Sequence, residues 1–234
     1  MNINLSNIQA IIFDLDGVIL DSMSSHTAAW STAFDEFDLQ VEKDFILRHE
    51  GALDRDLLKR LFALNRQQVK PELFDKIYSR QREIYSRQYA VDVSVFPEAA
   101  RLVNRLGQNG IRRALVTSSR REVLSPNLWN WLTDSFSPLV TGDQVNRFKP
   151  HPEPYMKALD ELGLQPQEAL VVENAPAGIA SAKAAGISCI ALTTTLPAKE
   201  LFDADVVLED HAALSMFFKR EGVIEPELAG TASA

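Results

Sequence analysis

The sequence predicts an α/β protein: a Rossmann-like, doubly wound parallel sheet that carries an inserted helical domain. Three observations lead there. Ala10-Ile11-Ile12-Phe13 is a short apolar run with branched residues, the signature of a buried strand, and it runs straight into Asp14 and Asp16. From Phe96 onward, short apolar runs alternate with helical periodicity, the pattern of a parallel sheet with helices on both faces. Between these two regions, from about Ser24 to Ala90, only helical periodicity is found, and an all-helical block of that size is too long for a crossover between strands.

Within the helical block, Trp30, Ala33, Phe34 and Phe37 form one apolar stripe. Leu57, Leu58, Leu61 and Phe62 form a second, and Leu73, Phe74, Ile77, Tyr78, Ile84 and Tyr85 a third. Pro71 suits the first turn of that last helix. The block is linked to the rest near Leu20–Ser25 and Val91–Phe96, so that 1–22 and 93–220 form the α/β core and 23–92 the insert. In the core, Pro97 to Asn109 reads as a helix ended by Gly110, and Arg113 to Thr117 as a strand. A helix is expected from about Arg121, although Pro126 interrupts its pattern. Pro138 to Thr141 is a short strand, Pro152 to Leu162 a helix closed by Gly163, and Ala169 to Glu173 a strand ending in an acid. A helix with Pro176 near its start and Gly186 just past its end follows. Cys189 to Thr193 and Val206 to Leu208 complete the strands. Residues 221–234 are mostly small and polar and read as a flexible tail.

The chain has 234 residues, a net charge of −8, 46% hydrophobic and 24% charged residues, proportions of an ordinary globular protein with ample length for a core. The acidic balance argues against a general nucleic-acid binder, which needs a basic face. One cysteine, Cys189, excludes an internal disulfide and disfavours a thiolate metal site. No signal-peptide pattern and no apolar run of about twenty residues is found, so a cytoplasmic protein without a membrane partner is expected.

The chemistry gathers at strand ends, where ligands bind in doubly wound sheets. Side chains alternate along a strand, so strand geometry continued to Asp16 would point both carboxylates one way. Two like charges so close call for a cation or a shared proton. Gly17 lets the chain turn where a side chain would crowd a ligand. A calcium loop is disfavoured, because Val18 to Leu20 supply no oxygen ligand. Thr117, Ser118, Ser119, Glu173 and Asn174 stand at other strand ends, and Lys149 joins them from a loop.

Asp14-x-Asp16-Gly17-Val18, Thr117-Ser118, Lys149-Pro150 and the acidic strand end at Glu173, in this order, resemble the haloacid dehalogenase superfamily of phosphohydrolases and phosphomutases. Asp21-Ser22-Met23-Ser24-Ser25-His26-Thr27-Ala28-Ala29-Trp30, Lys149-Pro150-His151-Pro152-Glu153-Pro154-Tyr155 and Glu173-Asn174-Ala175-Pro176-Ala177-Gly178 narrow the resemblance to its β-phosphoglucomutase-like branch. That branch carries a four-helix-type cap where the insert lies. The resemblance implies Asp14 as nucleophile forming an aspartyl-phosphate, and Asp16 as general acid and then base. It implies Mg2+ held by Asp14, the Asp16 carbonyl, Glu173 and Asn174, with Lys149 adding positive charge. Thr117 and the amides of Ser118 and Ser119 would hold phosphoryl oxygens.

Asn174 departs from the commoner acid, so a further carboxylate is sought, and Glu50, beside Gly51 in the cap's substrate-specificity segment, is the candidate metal ligand. The alternative is a solvated Glu50. Gly51, His26 and Trp30 are expected to line the cleft, with a structural histidine the alternative for His26. A sugar mutase usually has an arginine just after the Gly51 position, where Asp54 stands with Arg55 next. Glu50-Gly51 with Glu173-Asn174 resembles pyrophosphatase members of the branch. Pyrophosphate or a very small phosphate ester therefore ranks first and a mutase second, with a non-catalytic phosphate-binding protein as the remote alternative. A small phosphorylated substrate is the expected partner; a monomer is expected, with a homodimer as the alternative.

Overall fold

The computed structural model describes residues 3, 5–49, 59, 61–63, 65, 71–89 and 93–225. In chain order the elements are β1 (Ala10–Phe13), β2 (Leu20–Asp21), α1 (Met23–Glu36), α2 (Lys43–Arg48) and α3 (Pro71–Ile84), which continues as a π turn over Tyr85–Tyr89. Then come β3 (Ser94–Val95), α4 (Pro97–Gln108), β4 (Arg112–Val116), α5 (Pro126–Ser135), β5 (Leu139–Val140) and α6 (Glu153–Leu162). The chain proceeds through β6 (Ala169–Glu173), α7 (Pro176–Ala184), β7 (Ser188–Leu192), β8 (Val206–Leu208) and α8 (His211–Arg220).

Six strands form one parallel sheet in the order β5-β4-β1-β6-β7-β8. Because successive side chains point to opposite faces, both faces must be covered. Ile11, Phe13, Leu115 and Val172 join one core with α4 and α8, while Ala10, Ile12, Val116 and Val171 join another with α6 and α7. A third cluster, of Trp30, Phe34, Leu39, Ile46, Leu61, Phe62, Phe74 and Ile77, lies wholly within the insert. The antiparallel pair β2–β3 is where the chain passes between sheet and insert.

After β1 the chain goes to β4 and β5 on one side, then crosses back to β6 on the other. Strand order therefore reverses between β1 and β6, which puts the ends of these strands at the sheet's natural ligand crevice. Strand geometry does not continue to Asp16. β1 ends at Phe13, Asp14 keeps one ladder bond from its N–H to the Val172 carbonyl, and a tight turn follows in which Ile19 and Leu20 donate to the Leu15 carbonyl.

The helix expected from Arg121 begins five residues later. Arg121–Val123 is a single 3₁₀ turn, and Pro126 is the first residue of α5, capped by the Ser125 hydroxyl accepting from the Leu128 amide. Proline fits that position because its missing N–H would have no helical partner there. The stretch read as a flexible tail from Glu221 starts packed: Val223 and Ile224 are buried in the first core, and the Glu225 amide donates to Asn109. No helix among the described residues is long and apolar enough to cross a membrane.

Candidate active site

Asp14 at the end of β1 and Glu173 at the end of β6 flank the crevice, and Lys149 lies between them. Its Nζ is 2.6 Å from Asp14 Oδ1 and 2.7 Å from Glu173 Oε1, with a third bond to the Val116 carbonyl at 3.3 Å. All three side chains are buried. Burial pushes the Asp14 carboxyl up; Lys149 opposes this, Glu173 and Asp16 add to it, and the result is about 7. Burial pulls Lys149 down, but the two carboxylates outweigh it and hold the ammonium well above its usual range.

Glu173 is turned away from the role of metal ligand. Its Oε1 accepts from Lys149 and from the Tyr155 hydroxyl at 2.9 Å, and its Oε2 accepts from the amides of Asn174 and Ala175 at 2.9 and 3.2 Å. Four donors fill a carboxylate's acceptor sites. Gly178 of α7 leaves room for this: a Cβ there would lie 1.6 Å from Oε1. Glu173 thus orients Lys149 and ties the sheet to the start of α7.

Asp16 makes three bonds: Ser22 Oγ donates at 2.7 Å and Ser119 Oγ at 2.8 Å, and His26 Nε2 lies at 3.0 Å. Burial alone would raise its carboxyl, but the His26 charge and the hydrogen bonds of His26, Ser22 and Ser119 prevail and hold it at about 2. The arrangement keeps Asp16 ionised, whereas a general acid needs its proton. His26 in turn stacks on Tyr85, ring centroids 4.0 Å apart, so it is a cleft residue with structural contacts.

The Thr117 hydroxyl accepts from the Ser119 amide at 2.9 Å, so in this arrangement that amide serves the loop and is not offered to a phosphate. Ser118 and Ser119 line the cavity with Asp14, Asp16, His26 and Trp30. Glu50 and Gly51 lie outside the described residues. The cavity measures about 640 Å³. Its remaining wall includes Gln81, Arg82, Arg120 and Phe148, which carried no sequence signal, and Tyr78 and Tyr85, which the sequence marked only as part of an apolar helix stripe. Tyr155 and Ser22 stand inside the motif stretches, but nothing in their spacing announced their bonds to Glu173 and Asp16.

Among the described residues no cluster of three or more His, Cys, Asp or Glu side chains could hold a metal ion. The donors that remain are Asp14, the Asp16 main-chain oxygen and the Asn174 amide oxygen. They are hard oxygens with a single negative charge, a set that suits magnesium, which keeps several waters and takes few protein carboxylates. A buried Asp14 pushed up to about 7 is a carboxylate short of positive charge, which a cation there would supply.

Residues 11–192 match the model of the haloacid dehalogenase-like hydrolase family. Validoxylamine A 7'-phosphate phosphatase of Streptomyces hygroscopicus subsp. limoneus is 31% identical over 85% of this chain and 92% of its own. Hexitol phosphatase A of Escherichia coli is 30% identical, over 86% and 90%. A solved structure from Bacteroides vulgatus, assigned to β-phosphoglucomutase, superposes with a TM-score of 0.80 at 26% identity, over 94% of this chain and 91% of that one. A family match that starts within β1 and runs to the last residue of β7 takes in the whole polar floor of the cavity, and the chain belongs to the haloacid dehalogenase-like hydrolases, as an enzyme of their phosphatase and phosphomutase group.

Proposed function

We propose that this chain is a magnesium-dependent phosphohydrolase that takes a small polar organic phosphate, of the sugar- or polyol-phosphate kind, through a phosphoryl group carried on Asp14. The observation that carries this reading is the cavity itself. Asp14 and Lys149 lie at its floor, and aromatic and polar side chains of the insert form its roof. About 640 Å³ is in the range of small-molecule sites, roughly 300–1,000 Å³, and far exceeds what pyrophosphate fills. An organic phosphate is therefore ranked here above pyrophosphate, which the sequence placed first on Glu50-Gly51 together with Glu173-Asn174. Trp30, Tyr78 and Tyr85 offer apolar faces for a carbon skeleton, and Gln81 and Arg82 offer donors for its hydroxyls. The 31%- and 30%-identical relatives, named as phosphatases of validoxylamine A 7'-phosphate and of hexitol, support an organic phosphate as substrate.

In the first half, an Asp14 oxygen bonds to phosphorus as the bond from phosphorus to the leaving alcohol breaks, and the alcohol oxygen takes a proton from Asp16. Lys149, fixed by Glu173 and Tyr155, holds Asp14 and offsets the negative charge gathered there. In the second half, water attacks phosphorus, Asp14 leaves as a carboxylate, and a proton passes to Asp16. The ionised Asp16 held by Ser22, His26 and Ser119 suits this base role. The acid role in the first half requires Asp16 to leave those bonds and take a proton. Asp14, the Asp16 main-chain oxygen and the Asn174 amide oxygen would hold magnesium, which would supply positive charge against the charge of the phosphate.

The test is phosphate release, with and without magnesium, from pyrophosphate, phosphoglycolate, hexitol phosphates and hexose phosphates. Magnesium-stimulated preference for a sugar or polyol phosphate is expected. Preference for pyrophosphate would overturn the organic-substrate reading, and isomerisation of β-glucose 1-phosphate in the presence of its bisphosphate would make the protein a mutase.

A further inference from the structure

The turn that follows Asp14 presents three consecutive main-chain oxygens, and a different side chain holds each one. Asn174 Nδ2 donates to the Asp16 carbonyl at 3.0 Å, Thr194 Oγ1 to the Gly17 carbonyl at 2.6 Å, and His211 Nε2 to the Val18 carbonyl at 2.6 Å. A carbonyl only accepts, so Nε2 of His211 carries its hydrogen. The three donors come from after β6, after β7 and the first residue of α8. Thr195 completes the set by accepting from the same Asn174 Nδ2 at 2.7 Å.

A turn closed by its own main-chain bonds does not need such help. Gly17 N–H already donates to the Leu20 carbonyl at 2.8 Å, and Ile19 and Leu20 to that of Leu15 at 2.8 and 2.9 Å. The added clamp comes so close that a Cβ on Gly17 (φ +83°) would lie 2.1 Å from Asn174 Nδ2 and 2.7 Å from Thr195 Oγ1. Main-chain bonds fix the shape of the turn, whereas bonds from three separate elements fix where it sits against the sheet. His211 is buried, and its ring also packs on that of Phe96, centroids 4.9 Å apart, whose amide donates to the Ile19 carbonyl at 2.9 Å.

We propose that Thr194 and His211 are positioning residues: acting on the Gly17 and Val18 carbonyls, they hold the Asp16 main-chain oxygen and carboxylate in register with Asp14. Neither touches the reacting atoms. The inference rests on the phosphohydrolase reading for its kinetic arm only, because the position of the turn can be followed without turnover.

Thr194→Val and His211→Phe remove the donors and keep the packing, while Thr194→Ser and His211→Gln restore a donor. Three readouts are taken on the full chain: amide exchange over Gly17–Leu20, magnesium affinity by calorimetry with the metal alone, and kcat and KM for p-nitrophenyl phosphate. In Thr194→Val and His211→Phe, exchange should quicken, magnesium binding weaken, and kcat fall about tenfold or more with KM within about twofold, as for slight misplacement of a catalytic group. Thr194→Ser and His211→Gln should recover most of each loss. Folded Val and Phe variants that keep wild-type exchange, metal affinity and kcat, or that lose thermal stability alone, would overturn the proposal. Should His211→Phe fail to fold, Thr194→Val decides by the same criteria. A wild type that hydrolyses nothing would remove the proposed function and leave exchange to decide: quickened exchange in both variants supports the clamp, and unchanged exchange refutes it.

Discussion

Lys149 faces two carboxylates with one charge, and the surplus falls on Asp14. Burial, with Glu173 and Asp16 added and Lys149 opposed, moves the Asp14 carboxyl from 3.8 to about 7. The folded metal-free chain therefore keeps a proton that the unfolded chain gives up. Its contribution to stability is complete below about pH 4 and is lost as the pH rises through about 7. The Tm of metal-free protein should fall across that window, and Asp14→Asn, which has no charge to bury, should flatten the fall. Magnesium competes with the same proton, so its addition should raise Tm more at about pH 8 than at about pH 5. In a phosphate-release assay Asp14→Asn is expected to lower kcat by on the order of 10⁴-fold or more, as for loss of a nucleophile. Asp14 and Glu173 were legible because strand ends in a parallel sheet converge, and Asp16 in the turn and Lys149 in its loop were legible through the family motifs they stand in. The orientation of Glu173 was not. It is set by the Tyr155 hydroxyl and by two amides entering α7, partners that no spacing announces.

The helix α7 shows how one element is fitted to the chemistry below it. The two residues leading into it, Asn174 and Ala175, hand their amides to Glu173, and its third residue, Gly178, has no Cβ where that carboxylate lies. Gly178→Ala would force the carboxylate or the helix to move and should destabilise the protein by about 1–3 kcal/mol, read as a lower denaturation midpoint with unchanged slope. Elements whose identity depends on pattern alone were read well from the sequence: β6 and β8 match residue for residue, and Gly163 closes α6 in the left-handed conformation (φ +65°). Elements whose ends depend on partners were not. β1 stops three residues short of Asp16 because its turn bonds to Leu15, and α5 waits for Pro126 because Ser125 caps it.

On the scale of the molecule, insert and sheet share a buried core, with Ala29, Ala33, Ile84 and Tyr85 in one cluster with Phe13 and Val172, and partly exposed ion pairs add little to it. Arg48 reaches Glu200 at 3.3 Å and Arg82 reaches Glu122 at 3.8 Å, both pairs partly exposed. Replacing Glu122 and Glu200 by Gln should therefore change stability by less than about 1 kcal/mol each, measurable by urea unfolding. The end of α8 behaves differently. Val223 and Ile224 are buried, a fact that their polar neighbours hid from the sequence reading, and ending the chain at Arg220 should remove about 3 kcal/mol or more of burial. The two strands through which the chain leaves the sheet and returns are paired side by side, Leu20 with Val95 and Asp21 with Ser94. An insert whose two ends are neighbours can lengthen, shorten or be exchanged whole without shifting β1 against β4 or β6. Evolution can then alter what the roof admits while the phosphate chemistry beneath stays as it was, much as a tool head is changed on a fixed handle.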